Sequence, residues 1–321
     1  MTPVAVIDVG DHGFESAARA ALSAGPVIVG RGHGAPPREQ EPLLRALTCT
    51  LVDGAGNVDL PPTCIAVDDV DAGIASLRGQ VEEHPIAATT LCQLLRLTVH
   101  LPTAEALVAE SLAYSTLLAG PEFAAWLARR PPREPSVDDE PPVVIERDRA
   151  GLDIRLNRPA RHNAYSAQMR DALIEALEIA VYDDSVQSVV LRGNGSSFCS
   201  GGDLDEFGTT PDAATAHLIR MQRSVASLLA RLSGRLEVRV HGACIGAGTE
   251  FAAFGGTVVA ADDAYFQLPE LAMGLVPGAG GTASVCARVG RWRTAYLALT
   301  GNRIDVDTAL AWRLVDKRAD D

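Results

Sequence analysis

Apolar positions recur at two spacings along this chain, and the change from one to the other marks its elements. Over residues 166–182, Met169, Leu173, Ala176, Leu177 and Ala180 fall on one face at helical spacing, so the pattern predicts an amphipathic helix from Ser166 to Tyr182. Ahead of it, residues 143–145 and 152–156 read as strands. After it, SVQSVVLRG is a continuous apolar strand ending at Gly193, and LEVRVHGACIG reads as a second, followed by helix TEFAAFG and strand TVVAAD. Uninterrupted Val/Leu/Ile strands alternating with helices indicate a sheet covered on both faces, an α/β fold.

The first part of the chain has a different pattern. Residues 3–30 read as one small β-α-β unit (VAVIDV, FESAARAALSA, PVIVG), whereas 71–130 are almost wholly helical in pattern. Pro85 stands where a first helical turn tolerates proline. Leu107, Val108, Leu112 and Leu118 then fall at helical spacing, Gly120 stops that helix, and Pro121 opens EFAAWLARR. Three amphipathic helices in a row are expected to form a cap or an oligomer-forming layer rather than an active site. Between the two parts, prolines and acids in REPSVDDEPP bury too little surface to order themselves and read as a linker. No internal repeat of fixed short period is visible.

Composition narrows the function. With 321 residues and 47% hydrophobic content, the chain can bury a full core in one large domain or two ordinary ones. A formal net charge of -13 argues against a nucleic-acid partner, which would need a basic face to neutralise phosphates. No stretch approaches the about 20 apolar residues of a membrane span, and MTPVAVIDVGDHGFES has no cationic region ahead of an apolar run, so no membrane partner is expected and the cytoplasm is the expected location. Six scattered cysteines, without a C-x-x-C pair or a histidine at ligand spacing, read as reduced, mostly buried thiols and not as a metal site.

Three segments carry candidate chemistry. In SSFCSGGDL, Ser200, Gly201, Gly202 and Asp203 follow a buried strand, and glycines there let backbone N–H groups face a ligand at close range. HGACIGAGTEFAAF runs from a strand through small residues into a helix, so the amides of Ala247 and Gly248 open a helix, where unsatisfied donors favour negative charge. Two such junctions in one α/β layer can converge on a single oxygen, which outlines an oxyanion hole. In FQLPELAMGLVPGAGGT, Glu270 follows Pro269 and precedes a glycine-rich loop (Gly278, Gly280, Gly281), and Glu250 lies on the first turn of the preceding helix. Two glutamates facing one apolar pocket have their proton affinities pushed apart, as an acid and a base require.

Taken in order, FCSGGDL, HGACIGAGTEFA and LPELAMGLVPGAGGT, with RPARHNAYS upstream and LTGNRIDVDTALAWRLVD downstream, resemble the crotonase family, the enoyl-CoA hydratases and isomerases. The resemblance covers about residue 143 to the C-terminus. It implies a spiral of β-β-α turns, a homo-oligomer (trimer or hexamer) and a CoA thioester as substrate, with no cofactor beyond the coenzyme A of the substrate itself. It implies that the amides of Cys199 and Ala247 polarise the thioester oxygen toward an enolate. Glu250 would then act as base on the attacking water, Glu270 would deliver a proton to the α-carbon, and the Gly278 amide would help hold the water. Arg158, Arg161 and Asn163 fall where the family's CoA-binding strand and turn begin, and with Ser200 to Asp203 they complete the expected substrate site.

One departure stands out. A crotonase usually continues past LVD into several helices that cover its site, and here HPIAATTLCQLLRL and EALVAESLAYSTLLAGPEFAAWLARRPPR, which lie before the core, resemble that region. The expected organisation is a rearranged crotonase: 1–70 a degenerate β-α-β remnant without chemistry, 71–133 a helical lid or oligomerisation region, 134–142 a linker and 143–321 the catalytic core. Hydration of a 2-enoyl-CoA is the expected reaction. Double-bond isomerisation, thioester hydrolysis, C–C cleavage or an accessory role without catalysis are the alternatives on the same fold. GRGHG at 30–34 and GAGTEF at 246–251 loosely resemble a dinucleotide loop, but Ala35, Pro36 and Pro37 follow the first instead of a helix, and the second belongs to the better-matching set.

Overall fold

The computed structural model describes residues 4–9, 16, 27–53, 60–131 and 140–319. Near the N-terminus, β1 (Val4–Asp8), β2 (Val27–His33), β3 (Cys49–Asp53) and β4 (Cys64–Ala66) pair in parallel, in chain order. The two strands expected over 3–30 are present, while the helix expected between them lies, apart from Ser16, outside the described residues. The expectation of a single β-α-β unit is nevertheless too small, because CTLVD and CIA add two strands. Runs of five and three residues are too short for periodicity to distinguish them from loop.

Four helices follow: α1 (Val70–Glu83), α2 (Pro85–Thr98), α3 (Thr103–Leu118) and α4 (Pro121–Ala128). Asp69 caps α1 by accepting the Ala72 amide at 2.9 Å, and Pro85 and Pro121 stand in the first turns of α2 and α4, where the missing N–H costs nothing. The face read for α3 needs correction. Leu107 is buried, but Val108 and Leu112 are 39% and 52% exposed, and the buried stripe is instead Ala106, Leu107, Glu110, Ser111, Ser115 and Leu117. Of the linker expected at 134–142, only residues 140–142 are described.

The rest of the chain winds as a spiral. After the antiparallel pair β5 (Val143–Asp148) and β6 (Gly151–Leu156) comes α5 (Ala167–Tyr182), capped by Ser166 accepting the Met169 amide at 3.1 Å; all five apolar residues on its predicted face are buried. Then β7 (Ser188–Gly193) and β8 (Ser197–Cys199) precede α6 (Ala213–Gln222) and α7 (Val225–Leu232). Next, β9 (Leu236–Val240) and β10 (Ala243–Ile245) precede α8 (Ala247–Ala252), and β11 (Thr257–Ala260) and β12 (Tyr265–Gln267) precede α9 (Gly281–Thr300), bent at Gly290. Last come β13 (Ile304–Asp305), α10 (Val306–Ala311) and β14 (Lys317–Arg318).

In the turns β7/β8, β9/β10 and β11/β12 the first strand joins a six-stranded sheet (β14-β11-β9-β7-β6-β5) and the second joins a four-stranded one (β13-β12-β10-β8), while β5 and β6 both lie in the larger sheet. LEVRVHGACIG is therefore two strands in different sheets and not one. Gly242, at φ +53, makes the corner between them, and a Cβ there would lie 2.1 Å from the Ser196 carbonyl oxygen. Phe198, Phe251 and Phe266 are fully buried in this core, each side chain contributing roughly 1.5–3 kcal/mol. Helix α9 packs against α1, α2, α3, β3 and β4, so the N-terminal region lies directly on the segment that begins with the glycine-rich loop. Among the described residues no helix is long and apolar enough to cross a membrane.

Candidate active site

Three chain segments meet where only glycine fits. Gly201 (φ +95) follows β8, and a Cβ on it would lie 3.2 Å from the Ile245 carbonyl oxygen. Gly246 (φ +51) turns β10 into α8, and a Cβ there would lie 2.7 Å from Glu270 Oε1. On the next turn, a Cβ on Gly248 would lie 2.5 Å from the Cys199 carbonyl oxygen. The sequence expectation that two strand-to-loop junctions converge is thus realised in space, with Glu270 beside them.

These segments open into a cavity of about 510 Å³ lined by Ser200, Gly201, Gly202, Asp203, Ala247, Glu250, Glu270 and Gly278 among others. Cys199 does not line it. The residue is 0% exposed within β8, and the cavity begins one residue later, so the donor expected at Cys199 is not available there. The loop supplies another. Around Gly202 the neighbouring groups pair (Tyr165 amide to the Gly201 carbonyl at 2.7 Å, Asp203 amide to the Tyr165 carbonyl at 2.9 Å), while the Gly202 amide has no partner among the described residues. The Ala247 amide is the first of α8 and has no helical carbonyl behind it.

Arg158 and Asn163 do not reach the cavity either. The Arg158 side chain is fully buried and donates to Asp203 Oδ2 at 3.0 Å; the Asn163 side chain accepts from the Arg158 amide at 2.8 Å and donates to the carbonyls of Asn194 and Ser197 at 2.9 and 2.8 Å. They fix the loop from behind instead of touching a ligand. Arg161 donates to Asp203 Oδ1 at 3.1 Å and Asp205 Oδ2 at 2.6 Å and is not part of the cavity wall. A buried pair of this kind is a scaffold whose half-removal is costly.

Both glutamates are buried, Glu250 2% and Glu270 7% exposed. Glu250 Oε2 accepts the amides of Ala279 and Gly281, each at 2.7 Å, which leaves Oε1 for the cavity. Burial above all, then the carboxyls of Glu110 and Glu270, pushes the Glu250 proton affinity well up despite those two bonds. Glu270 has a different environment: its Oε2 is buried with no hydrogen-bond partner, and burial, with Glu110 adding to it, pushes its pKa up to about 8. One carboxyl is thus held by two amides and the other is nearly bare, an inequality that suits a base and an acid.

The helices expected as a lid or oligomerisation region contribute side chains to the cavity itself. Glu110, Ser111 and Tyr114 of α3 and Trp126 of α4 line the cavity. Glu110 is 2% exposed and accepts the Gly280 amide at 2.7 Å and the Thr282 amide at 2.8 Å. The guanidinium of Arg220 lies 4.7 Å from the Tyr114 ring centroid and donates to Ser111 Oγ at 3.1 Å and to Ser115. Trp126 stacks on Phe123 at 5.7 Å and meets Phe207 edge-on at 5.8 Å, closing an apolar wall. The signal available in the sequence was the polar trio Glu110, Ser111 and Ser115 inside an otherwise apolar helix, a stripe that a purely structural cap has no reason to bury.

The profile of a family described as enoyl-CoA hydratase/isomerase matches residues 146–319. The chain belongs to this family. Among relatives of the crotonase, 2,3-dehydroadipyl-CoA hydratase of Escherichia coli K12 is 36% identical over 170 residues, covering 52% of this chain and 65% of the relative. The 1,2-epoxyphenylacetyl-CoA isomerase of the same organism is 32% identical over 184 residues, covering 56% and 70%. A solved enoyl-CoA hydratase from Mycobacterium smegmatis is 33% identical and superposes with a TM-score of 0.52 over 56% of this chain and 70% of that one. This chain therefore matches only about two thirds of the length of its relatives.

Proposed function

We propose that this crotonase adds water across the 2,3 double bond of a 2-enoyl-CoA thioester. The observation that carries the reading is the pair of buried, unequally held glutamates on the cavity that also presents the amides of Gly202 and Ala247. The thioester oxygen accepts from these two amides, so negative charge developing on it is met by donors already in place. In its carboxylate form, which the amides of Ala279 and Gly281 favour against burial, Glu250 takes a proton from water through Oε1 as the oxygen bonds to C3. The electron pair of the double bond moves into the thioester as an enolate. Glu270, protonated, then gives its proton to C2, the enolate collapses to the 3-hydroxyacyl thioester, and the proton held by Glu250 returns the pair to its starting state. The hydratase named among the relatives supports hydration, and the isomerase among them supports the same enolate site serving another outcome.

The test is the loss of the conjugated enoyl-thioester absorbance when the protein is added to a panel of trans-2-enoyl-CoA substrates. Rapid loss with 3-hydroxyacyl-CoA as product is expected. Absence of loss across the panel overturns hydration and leaves isomerisation, read from migration of the double bond in the same mixtures, as the second outcome. We also infer a homo-oligomer, a reading supported by Leu97, Val99, Val108 and Leu112, which are 39–52% exposed on α2, its C-terminal end and α3. A monomer mass in sedimentation would refute that.

A further inference from the structure

Four consecutive amides at the start of α9 are divided alternately between two carboxylates. Ala279 and Gly281 donate to Glu250 Oε2 at 2.7 Å each, whereas Gly280 donates to Glu110 Oε1 at 2.7 Å and Thr282 donates to Glu110 Oε2 through its amide at 2.8 Å and its hydroxyl at 2.6 Å. Gly280 sits at φ +107, and this left-handed residue lets successive N–H groups point to opposite sides of the chain. The two glutamates hold one four-residue segment from its two sides, Glu110 reaching it across 170 residues of sequence.

We propose that Glu110 is a positioning residue: it fixes the 279–282 segment around Glu250 and, through its charge, sets the proton affinity of Glu250 and Glu270. Only what that pair does to substrate rests on the hydratase reading. The placement of Glu110 is independent of it.

The groups facing Glu110 define the electrostatics. Arg220 approaches from α6, Tyr114 from its own helix, Glu250 from α8, Glu270 from the loop after β12 and Cys286 from α9. Burial disfavours a charged Glu110, while the Thr282 and Gly280 donors and Arg220 favour it, so that it titrates at about 7. Once Glu110 is ionised, a second and a third negative charge in the same dry volume are harder to form, and Glu270 keeps its proton to higher pH. With Glu110 neutral, Glu270 loses that proton earlier.

The test reads the carboxyls directly and needs no turnover. In full-length protein carrying ¹³C at the glutamate side-chain carboxyls, the Glu110, Glu250 and Glu270 resonances are assigned by their absence from the respective Gln variants. Each is then followed against pH. In Glu110→Gln, the Glu270 midpoint is expected to fall by about one pH unit, the scale of losing one nearby like charge. A folded Glu110→Gln protein with the wild-type midpoint overturns the proposal, because a merely structural Glu110 lowers thermal stability without moving that midpoint. If Glu110→Gln does not fold, Thr282→Val removes one donor from Glu110 with little change of shape. The Glu110 midpoint should then rise and the Glu270 midpoint fall; a folded variant with both unmoved likewise overturns it. Should the wild-type protein hydrate no enoyl-CoA, the hydratase reading fails while these titrations still decide the role of Glu110.

Discussion

Tyr114 packs against Gly278 so closely that a Cβ on the glycine would lie 2.4 Å from Tyr114 Cδ2 and 2.5 Å from Cε2. This contact joins α3 to the loop that leads into α9. Gly278→Ala is expected to destabilise the protein by about 1–3 kcal/mol through overpacking. Removing the ring in the same chain, Gly278→Ala with Tyr114→Ala, should cost less than the two single changes added together. Denaturant unfolding of the four proteins measures the coupling, and strict additivity would show that the clash is relieved elsewhere.

Glu250→Gln and Glu270→Gln are each expected to lower turnover by at least about a hundredfold, with little change in CoA affinity, the usual scale for losing a general acid or base. Initial rates on the best substrate of the enoyl-CoA panel supply the measurement. A Glu270→Gln enzyme of full activity would refute the assigned proton donor.

Stability should fall as pH rises into the alkaline range. Burial raises the Glu270 pKa from 4.5 to about 8 and that of Glu110 from 4.5 to about 7, so the folded protein holds both protons more tightly than the unfolded chain does. That stabilisation is complete below about 4.5 and is lost as pH rises through about 7 and about 8. Thermal unfolding between pH 5.5 and 9 should show a declining Tm, and Glu270→Gln, which cannot ionise, should flatten the upper part of the decline. An unchanged slope in that variant would count against the burial argument.

Arg158→Met is expected to destabilise the protein by about 3 kcal/mol, the low end for breaking a buried pair, because Asp203, whose side chain is 3% exposed, loses its buried counter-ion and keeps only the 38% exposed Arg161. Replacing both partners, Arg158→Met with Asp203→Leu, should recover part of the loss. Urea midpoints decide it. A direct role of Arg158 in binding CoA predicts instead weaker CoA affinity at unchanged stability.

Much of the site was legible because its chemistry is local in sequence. SSFCSGGDL, GAGTEF and the PELAMGLVPGAGG stretch each carry the small residues that a close backbone approach demands, and Gly201, Gly246 and Gly248 meet in space for that reason. The α5 face was legible because five apolar residues repeat at helical spacing with nothing to compete. What failed was local in a different sense. Arg158 and Asn163 were read as ligand contacts from their place in a motif, yet burial turned both toward the protein itself. The motif puts the hole at Cys199, one residue before the cavity starts, since the pattern alone does not say which amide in a loop is left without a partner.

By itself, then, the sequence determined the α/β class, the crotonase membership and the two glutamates Glu250 and Glu270, because period, glycine placement and motif order are properties of the chain read in one dimension. Only the tertiary structure decided that LEVRVHGACIG divides between two sheets, that β3 and β4 extend the N-terminal sheet, and that α3 buries a polar stripe. Glu110 is the clearest case. As a residue on an amphipathic helix it reads as a solvated charge. It becomes part of the site only because α3 packs on α9, where the amides of Gly280 and Thr282 supply the donors that a buried carboxylate requires.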